Sequence, residues 1–211
     1  RHRLFQDRIT VLHQNATFGM GSLMDRTRHQ LQITQSHGVP LTSSRPAALR
    51  SRAIGSHHFH SVTGQWQTDH QLGKRGYILS RTLGKWSDRP LLSSQMMGFG
   101  GWQMGRGMPS SAVSGDRILM THLEAGYRFR TPWGLGWSPS VFYDTAYRWT
   151  WPAEYPTPLR QGATTGVALA TQLPYNVNLS LSLGVPVIKH HDKNLFEWRG
   201  TKTYLYVGVR W

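Results

Sequence analysis

The sequence predicts an all-β fold: an antiparallel transmembrane β-barrel with about nine strands in this chain. Three observations predict it. Long stretches alternate apolar and polar residues, the period of two that places successive side chains on opposite faces of a strand. The polar face of those stretches carries Glu124, Asp144, His122 and several Arg, which a dry core would not accept unpaired. Aromatic residues cluster near strand ends, where a bilayer has its interfaces. A soluble β-sandwich shares the alternation, but not the charged inner faces.

The alternation is cleanest at the carboxy-terminal end. In "NVNLSLSLGVPV" (176–187), Val177, Leu179, Leu181, Leu183, Val185 and Val187 alternate with small polar residues, Gly and Pro. In "TKTYLYVGVRW" (201–211), Leu205, Val207, Val209 and Trp211 share one face. In 162–173, Val167, Leu169 and Leu173 oppose Gly166, Ala168 and Ala170. In 137–149, Val141, Tyr143 and Tyr147 oppose Ser140, Phe142, Asp144, Ala146 and Arg148. In 117–129, Leu119, Leu123, Ala125, Tyr127 and Phe129 oppose Met120, His122, Glu124, Gly126 and Arg128. Four noisier strands are placed near 7–20, 27–37, 57–71 and 75–86. Turns fall at 20–27, 72–76, 134–136 and 173–176, and long loops at 36–56 and 150–162. Short turns alternating with long loops suit an outer-membrane barrel.

Composition narrows the function classes. Of 211 residues, 38% are hydrophobic and 16% charged, both below the usual share of a soluble globular protein. The chain has no Cys, which excludes a disulfide framework and a thiolate metal site. No run comes near the ~18 apolar residues of a transmembrane helix, whereas a barrel's weaker signal is compatible with the sequence. The formal charge is +14, but Lys and Arg are scattered singly, without a basic helix or zinc-finger spacing. No nucleic-acid partner is expected; the charge suits acidic lipid head groups or a polyanionic partner. Nothing at the amino terminus reads as a signal peptide, and Arg1 is not an initiator Met, so the chain reads as mature or as cut from something longer.

The histidine runs "SHHFH" (56–60) and "KHHDKN" (189–194) lack the spacing of a closed zinc site, and adjacent His in a strand face opposite ways. No metal is expected. No Gly-x-Ser-x-Gly elbow occurs, and no strand singles out a Ser and His pair. No enzyme activity and no cofactor are expected.

One stretch resists all of these patterns. "FGGWQMGRGMP" (99–109) holds four glycines and two methionines around a single charged residue, Arg106. It is too glycine-rich for a strand interior and too apolar for a solvated loop. A guanidinium between glycines can be carried close to a wall, and Arg suits a two-point grip on a carboxylate.

The order of motifs resembles a known family. "GKWSDRPLLSSQMMGFGG" is followed by "WQMGRGMPSSAVSGDR", "LEAGYRF", "FYDTA" and a strand ending on an aromatic residue. This resembles the barrel of two-partner secretion transporters (TpsB) of the haemolysin-activator type, in the superfamily that includes BamA-like assembly factors. The matching residues are Gly100, Gly101, Arg106, Gly107, Gly115, Asp116, Phe142 and Asp144, and the resemblance covers 84–211. Met104–Gly105 stands where an aliphatic residue precedes the Arg, Met108 where an aromatic follows the Gly, and Ala146 replaces the final Gly of Phe-x-Asp-x-Gly.

The resemblance implies a protein-translocating pore of the bacterial outer membrane that secretes a partner polypeptide without cofactor. Its surroundings would be outer-membrane lipid and lipopolysaccharide. Its assembly would use the barrel-assembly machinery, read from Trp211, Val209, Val207 and Leu205. A loop over about 95–116 would fold inside the barrel, Arg106 pairing with Asp144 and Glu124 serving as a second partner. Lumen residues Arg128, Arg148, Glu124 and Asp144 would keep the path wet. The alternatives are a BamA-like insertase, or a small outer-membrane porin or lipid-modifying barrel enzyme. The whole of 1–211 reads as part of a barrel, its carboxy-terminal half. A missing amino-terminal half or other chains would complete it, unless it is a small closed barrel.

Overall fold

The computed structural model describes residues 9–22, 26–39, 51–131, 135–149, 161–173, 177–189 and 202–209. Four antiparallel strands lead: β1 (Thr10–Ser22), β2 (Thr27–Val39), β3 (His60–Leu72) and β4 (Gly76–Ser87). A 3-10 turn (Ser93–Gln95) and two short strands, β5 (Met97–Phe99) and β6 (Val113–Gly115), follow as a separate hairpin. The wall resumes with β7 (Arg117–Tyr127), the two-residue β8 (Phe129–Arg130), β9 (Gly136–Trp149), β10 (Gln161–Leu173), β11 (Val177–Lys189) and β12 (Lys202–Val209).

Among the described residues the main sheet runs β1-β2-β3-β4-β7-β9-β10-β11-β12, nine strands each paired with the next, with β8 alongside β9. Every ladder is antiparallel. Each strand expected from the sequence is present, within a few residues of its expected ends. Apart from β12, the nine are 11 to 14 residues long. A tilted transmembrane strand needs about 9–11.

Burial is inverted relative to a soluble protein. Val141, Val167, Leu119, Leu123, Leu181, Leu183, Val187 and Leu205 are exposed, whereas Asp144, His122, Arg148 and Ser140 are buried. The ladders make this a property of whole faces. Leu123 is level with Tyr143, and Tyr143 with Thr165; His122 is level with Asp144, and Asp144 with Thr164. The first row is outside and the second inside. Lipid, rather than water, removes the cost of such an apolar exterior.

Trp86, Tyr147 and Trp149 stand exposed on the outer face at the long-loop end, and Tyr127 and Phe129 at the short-turn end. These are the levels at which amphipathic rings settle in a bilayer. Tyr147 and Trp149 meet edge to face at 4.9 Å, and the Arg117 guanidinium lies 5.4 Å from the Trp86 ring. The apolar exterior is densest from β7 to β12. On β2 and β3 it is interrupted by polar pairs such as His29–Thr68 (3.0 Å) and Thr27–His70 (2.7 Å).

The main hydrophobic cluster lies inside, against the inner face of the wall. Phe99, Met104, Met108 and Val113 of the 95–116 segment pack on Ile118, Met120 and Ala146 of β7 and β9, with Leu83 beside them. Leu83, Ile118, Met120 and Ala146 therefore break the polar pattern of the inner face where the loop lands. Trp211 lies outside the described residues. Val209, Val207 and Leu205 pair with Val177, Leu179 and Leu181.

Candidate functional site

The 95–116 segment folds back over the inner face of β4, β7 and β9. Its tip is built by internal hydrogen bonds: Gly100 N–H to Met104 O (2.9 Å), Gly101 N–H to Met108 O (3.0 Å) and Met108 N–H to Gly105 O (2.8 Å). Gly105 has φ +79°, and a Cβ there would lie 2.8 Å from the Gly100 nitrogen. Only glycine takes this position without strain. Gly107 and Gly184 are small for a second reason. Here the loop backbone lies against β11: a Cβ on Gly184 would lie 2.4 Å from Arg106 O, and one on Gly107 would lie 2.6 Å from the Val185 carbonyl carbon.

This fold delivers Arg106 to a buried polar cluster. Asp144, with its side chain fully buried, accepts the backbone N–H groups of Gly105 (2.9 Å) and Arg106 (3.2 Å) on Oδ2. His122 Nδ1 is hydrogen-bonded to the other oxygen. A carboxylate only accepts, so Nδ1 carries the proton. Arg106 Nη2 donates to Glu124 Oε2 at 3.0 Å, while its Nε stands 3.6 Å from Asp144, beyond hydrogen-bonding range. The guanidinium lies flat, 3.4 Å from the centre of the Phe142 ring, a cation–π contact strengthened by exclusion of water. Tyr77 completes the cluster by donating to Glu124 Oε1 (3.0 Å), its ring lying where a side chain on Gly126 would be.

Arg106 and Asp144 thus meet, with a division of labour the sequence did not suggest. The Asp144 carboxylate is tied to the loop by backbone amides rather than by the guanidinium, which makes its shorter ion pair with Glu124. The Phe-x-Asp pair acts from both sides: Phe142 beneath the cation, Asp144 beneath the backbone. Because the loop covers them, Asp144 and Arg148 are buried rather than lining an open wet path. Arg148 instead donates to Ser114 O (2.8 Å) at the base of the loop.

Asp116, expected only as a loop motif, anchors that base. It takes both terminal nitrogens of Arg52 (2.6 and 2.8 Å) and the Leu91 N–H (2.7 Å). Gly115 lies beside it against the Arg148 side chain. Sequence reasoning missed Arg52, which belongs to the 36–56 loop and carries no local signal. It also missed Tyr204, whose hydroxyl donates to Met108 O (2.6 Å) from β12. Gly100 and Gly101 form the bend before the tip, with φ 120° and 100°. Among the described residues, no group of three or more His, Asp and Glu side chains could hold a metal ion.

An antiparallel wall, apolar outside and polar within, with a loop seated on its inner face, is the wall of a transmembrane β-barrel. Among solved structures the chain is similar to CdiB from Escherichia coli, with a TM-score of 0.73 at 17% identity. The match covers 95% of this chain and 36% of CdiB, so this chain spans about a third of that length. At this identity the likeness is one of fold. No family model matches the sequence, and no curated protein matches it.

Proposed function

We propose that the chain is the carboxy-terminal wall of an outer-membrane barrel that passes a partner polypeptide to the cell surface, a two-partner secretion transporter in the manner of CdiB. The reading is carried by one observation. Three of the residues that give the motif order its resemblance to that family, Arg106, Phe142 and Asp144, come together in one buried cluster between an inward loop and the wall. The barrel fold supports it independently. An open sheet edge in lipid leaves backbone groups unpaired, so β1 and β12 need the rest of a larger barrel beside them. The cluster is a lock that holds the loop inside the lumen; its buried ion pairs fix a geometry more than they add stability.

The test is secretion. The complete gene is expressed with its partner in a Gram-negative host, and partner protein at the cell surface is measured alongside the amount of barrel in the outer membrane. Arg106→Ala and Asp144→Ala should lower surface partner about tenfold or more at unchanged barrel level. Undiminished secretion by both variants would overturn the proposal.

A further inference from the structure

Cations gather at the short-turn end of the wall. Arg26 is in the β1–β2 turn and Arg28 at the start of β2, Lys74 and Arg75 are in the β3–β4 turn, and Arg128 and Arg130 lie where β7 gives way to β8. Two hollows open among them, with volumes of ≈ 830 and ≈ 700 Å³. The first is lined by Arg26, Arg28 and Arg128, the second by Arg75, Arg128 and Arg130, so Arg128 belongs to both. The one carboxylate in either lining is Asp69.

Three of these arginines face the lumen. Arg28 is level with Asp69, Asp69 with Leu79, and Leu79 with Glu124 of the lock. Arg128 lies 4.6 Å from the Tyr77 ring, whose hydroxyl also reaches Glu124. Arg130 is level with Gly136, on the same face as Ser140. Further in, Arg81 and Arg106 line a cavity of ≈ 550 Å³ with Gln103, Ser182, His122 and Glu124; Glu124 pairs with Arg106 there, so the excess of cations is at the mouth. Like charges in a concave site with low-dielectric walls focus a positive potential. Arginine presents its donors in pairs that match a carboxylate.

We infer that the short-turn mouth is a docking site for an acidic, Asp- and Glu-rich segment of a polypeptide. This rests on the transporter reading: short turns of outer-membrane barrels face the periplasm, the side from which a secreted chain enters. Arg28, Arg128 and Arg130 stand on the lumen face, opposite the apolar face that meets lipid, which favours a threaded chain over phosphate head groups. A neutral or basic segment would gain nothing from these arginines.

The full-length protein in detergent is titrated against a fluorescent ten-residue oligoglutamate peptide and an oligolysine control, with anisotropy as the readout. Oligoglutamate should bind, oligolysine should not, and binding should weaken as salt rises. The triple variant Arg28→Gln/Arg128→Gln/Arg130→Gln should weaken it about tenfold or more, and the heat-modifiable mobility of the barrel reports that this variant still folds. A second variant, Arg28→Glu/Arg130→Glu, leaves Arg128 on Tyr77 and should weaken binding at least as much. Equal binding by wild type and variants, or no binding, overturns the inference. So does a preference of wild type over variant for phosphatidylglycerol vesicles without peptide binding, which would make the mouth a lipid contact. If the wild type secretes its partner yet ignores the peptide, this inference falls and the transporter reading stands. If the wild type secretes nothing, the transporter reading falls.

Discussion

The backbone N–H of Gly105 donates to the buried carboxylate of Asp144 at 2.9 Å, and that bond depends on a left-handed turn at Gly105. The loop is therefore held by its backbone shape as well as by the Arg106 charge. The two contributions are separable by substitution.

Arg106→Ala removes the cation from Glu124 and Phe142 but keeps the backbone amides on Asp144. Breaking a buried pair by deleting one partner costs about 3–5 kcal/mol. The loop's apolar anchors on Ile118 and Met120 remain, so the barrel should stay folded while the tip opens. Limited proteolysis between 100 and 109 should then be fast in the variant and slow in wild type. Arg106→Lys should behave nearly as badly, because a point charge replaces a planar group lying on Phe142.

Asp144 separates charge from hydrogen bonding. Asn at this position keeps an oxygen for the Gly105 and Arg106 amides, loses the charge at about 1 kcal/mol per charged hydrogen bond, and turns its NH2 toward His122 Nδ1, which then has to give up its proton to the other ring nitrogen. Ala leaves both amides and His122 without a partner, at about 1–3 kcal/mol for each buried group. Loop opening measured by the same proteolysis should rank Asp144→Ala well above Asp144→Asn, with wild type lowest.

Gly184 tests shape alone, since it carries no charge and lies on β11. A valine there would intrude on Arg106 O, which is 2.4 Å from even a bare Cβ. The backbone of a paired strand cannot retreat, so the loop tip should be displaced. Gly184→Val should open the loop as Arg106→Ala does, while Gly64→Val should not. Gly64 also lies within a paired strand, but a Cβ there would meet nothing within 4 Å.

Arg52 and Asp116 should behave as a unit. Their two-point contact is nearly buried, with side-chain exposures of 10% and 1%. Arg52→Ala and Asp116→Ala should each destabilise the loop base. The double variant should cost less than the sum, with a coupling of about 1–3 kcal/mol by thermal unfolding. Additive effects would mean that the contact does not form.

The wall was legible in the sequence because a barrel strand writes its two faces as an alternation. Val177 to Val187 and Leu119 to Tyr127 could be assigned to the outer face residue by residue. The meeting of Arg106 with Asp144 was suggested only through motif order, since the two are far apart in sequence and nothing local links them. Phe142 was matched to the Phe-x-Asp motif by resemblance alone; its physical reason is the guanidinium above it. Ile118, Met120 and Ala146 are apolar residues on a polar face and pack against the loop, a sign of a covered inner face that the alternation was not read for. Arg52 and Tyr204 left no such sign. Each is an ordinary residue whose role depends on a long-range contact.

The seating of the loop on the inner wall can be measured directly, because the chain has no cysteine of its own. Gln103 of the loop and Ser182 of β11 line the same cavity, and neither belongs to the lock. With both replaced by Cys in the full-length protein in native membranes, a short bismaleimide followed by peptide mass mapping reads their proximity. The cross-link should form in high yield, and should fall sharply when Arg106→Ala is added. No cross-link with Arg106 and Asp144 intact, or an equal yield with and without Arg106, would contradict the lock.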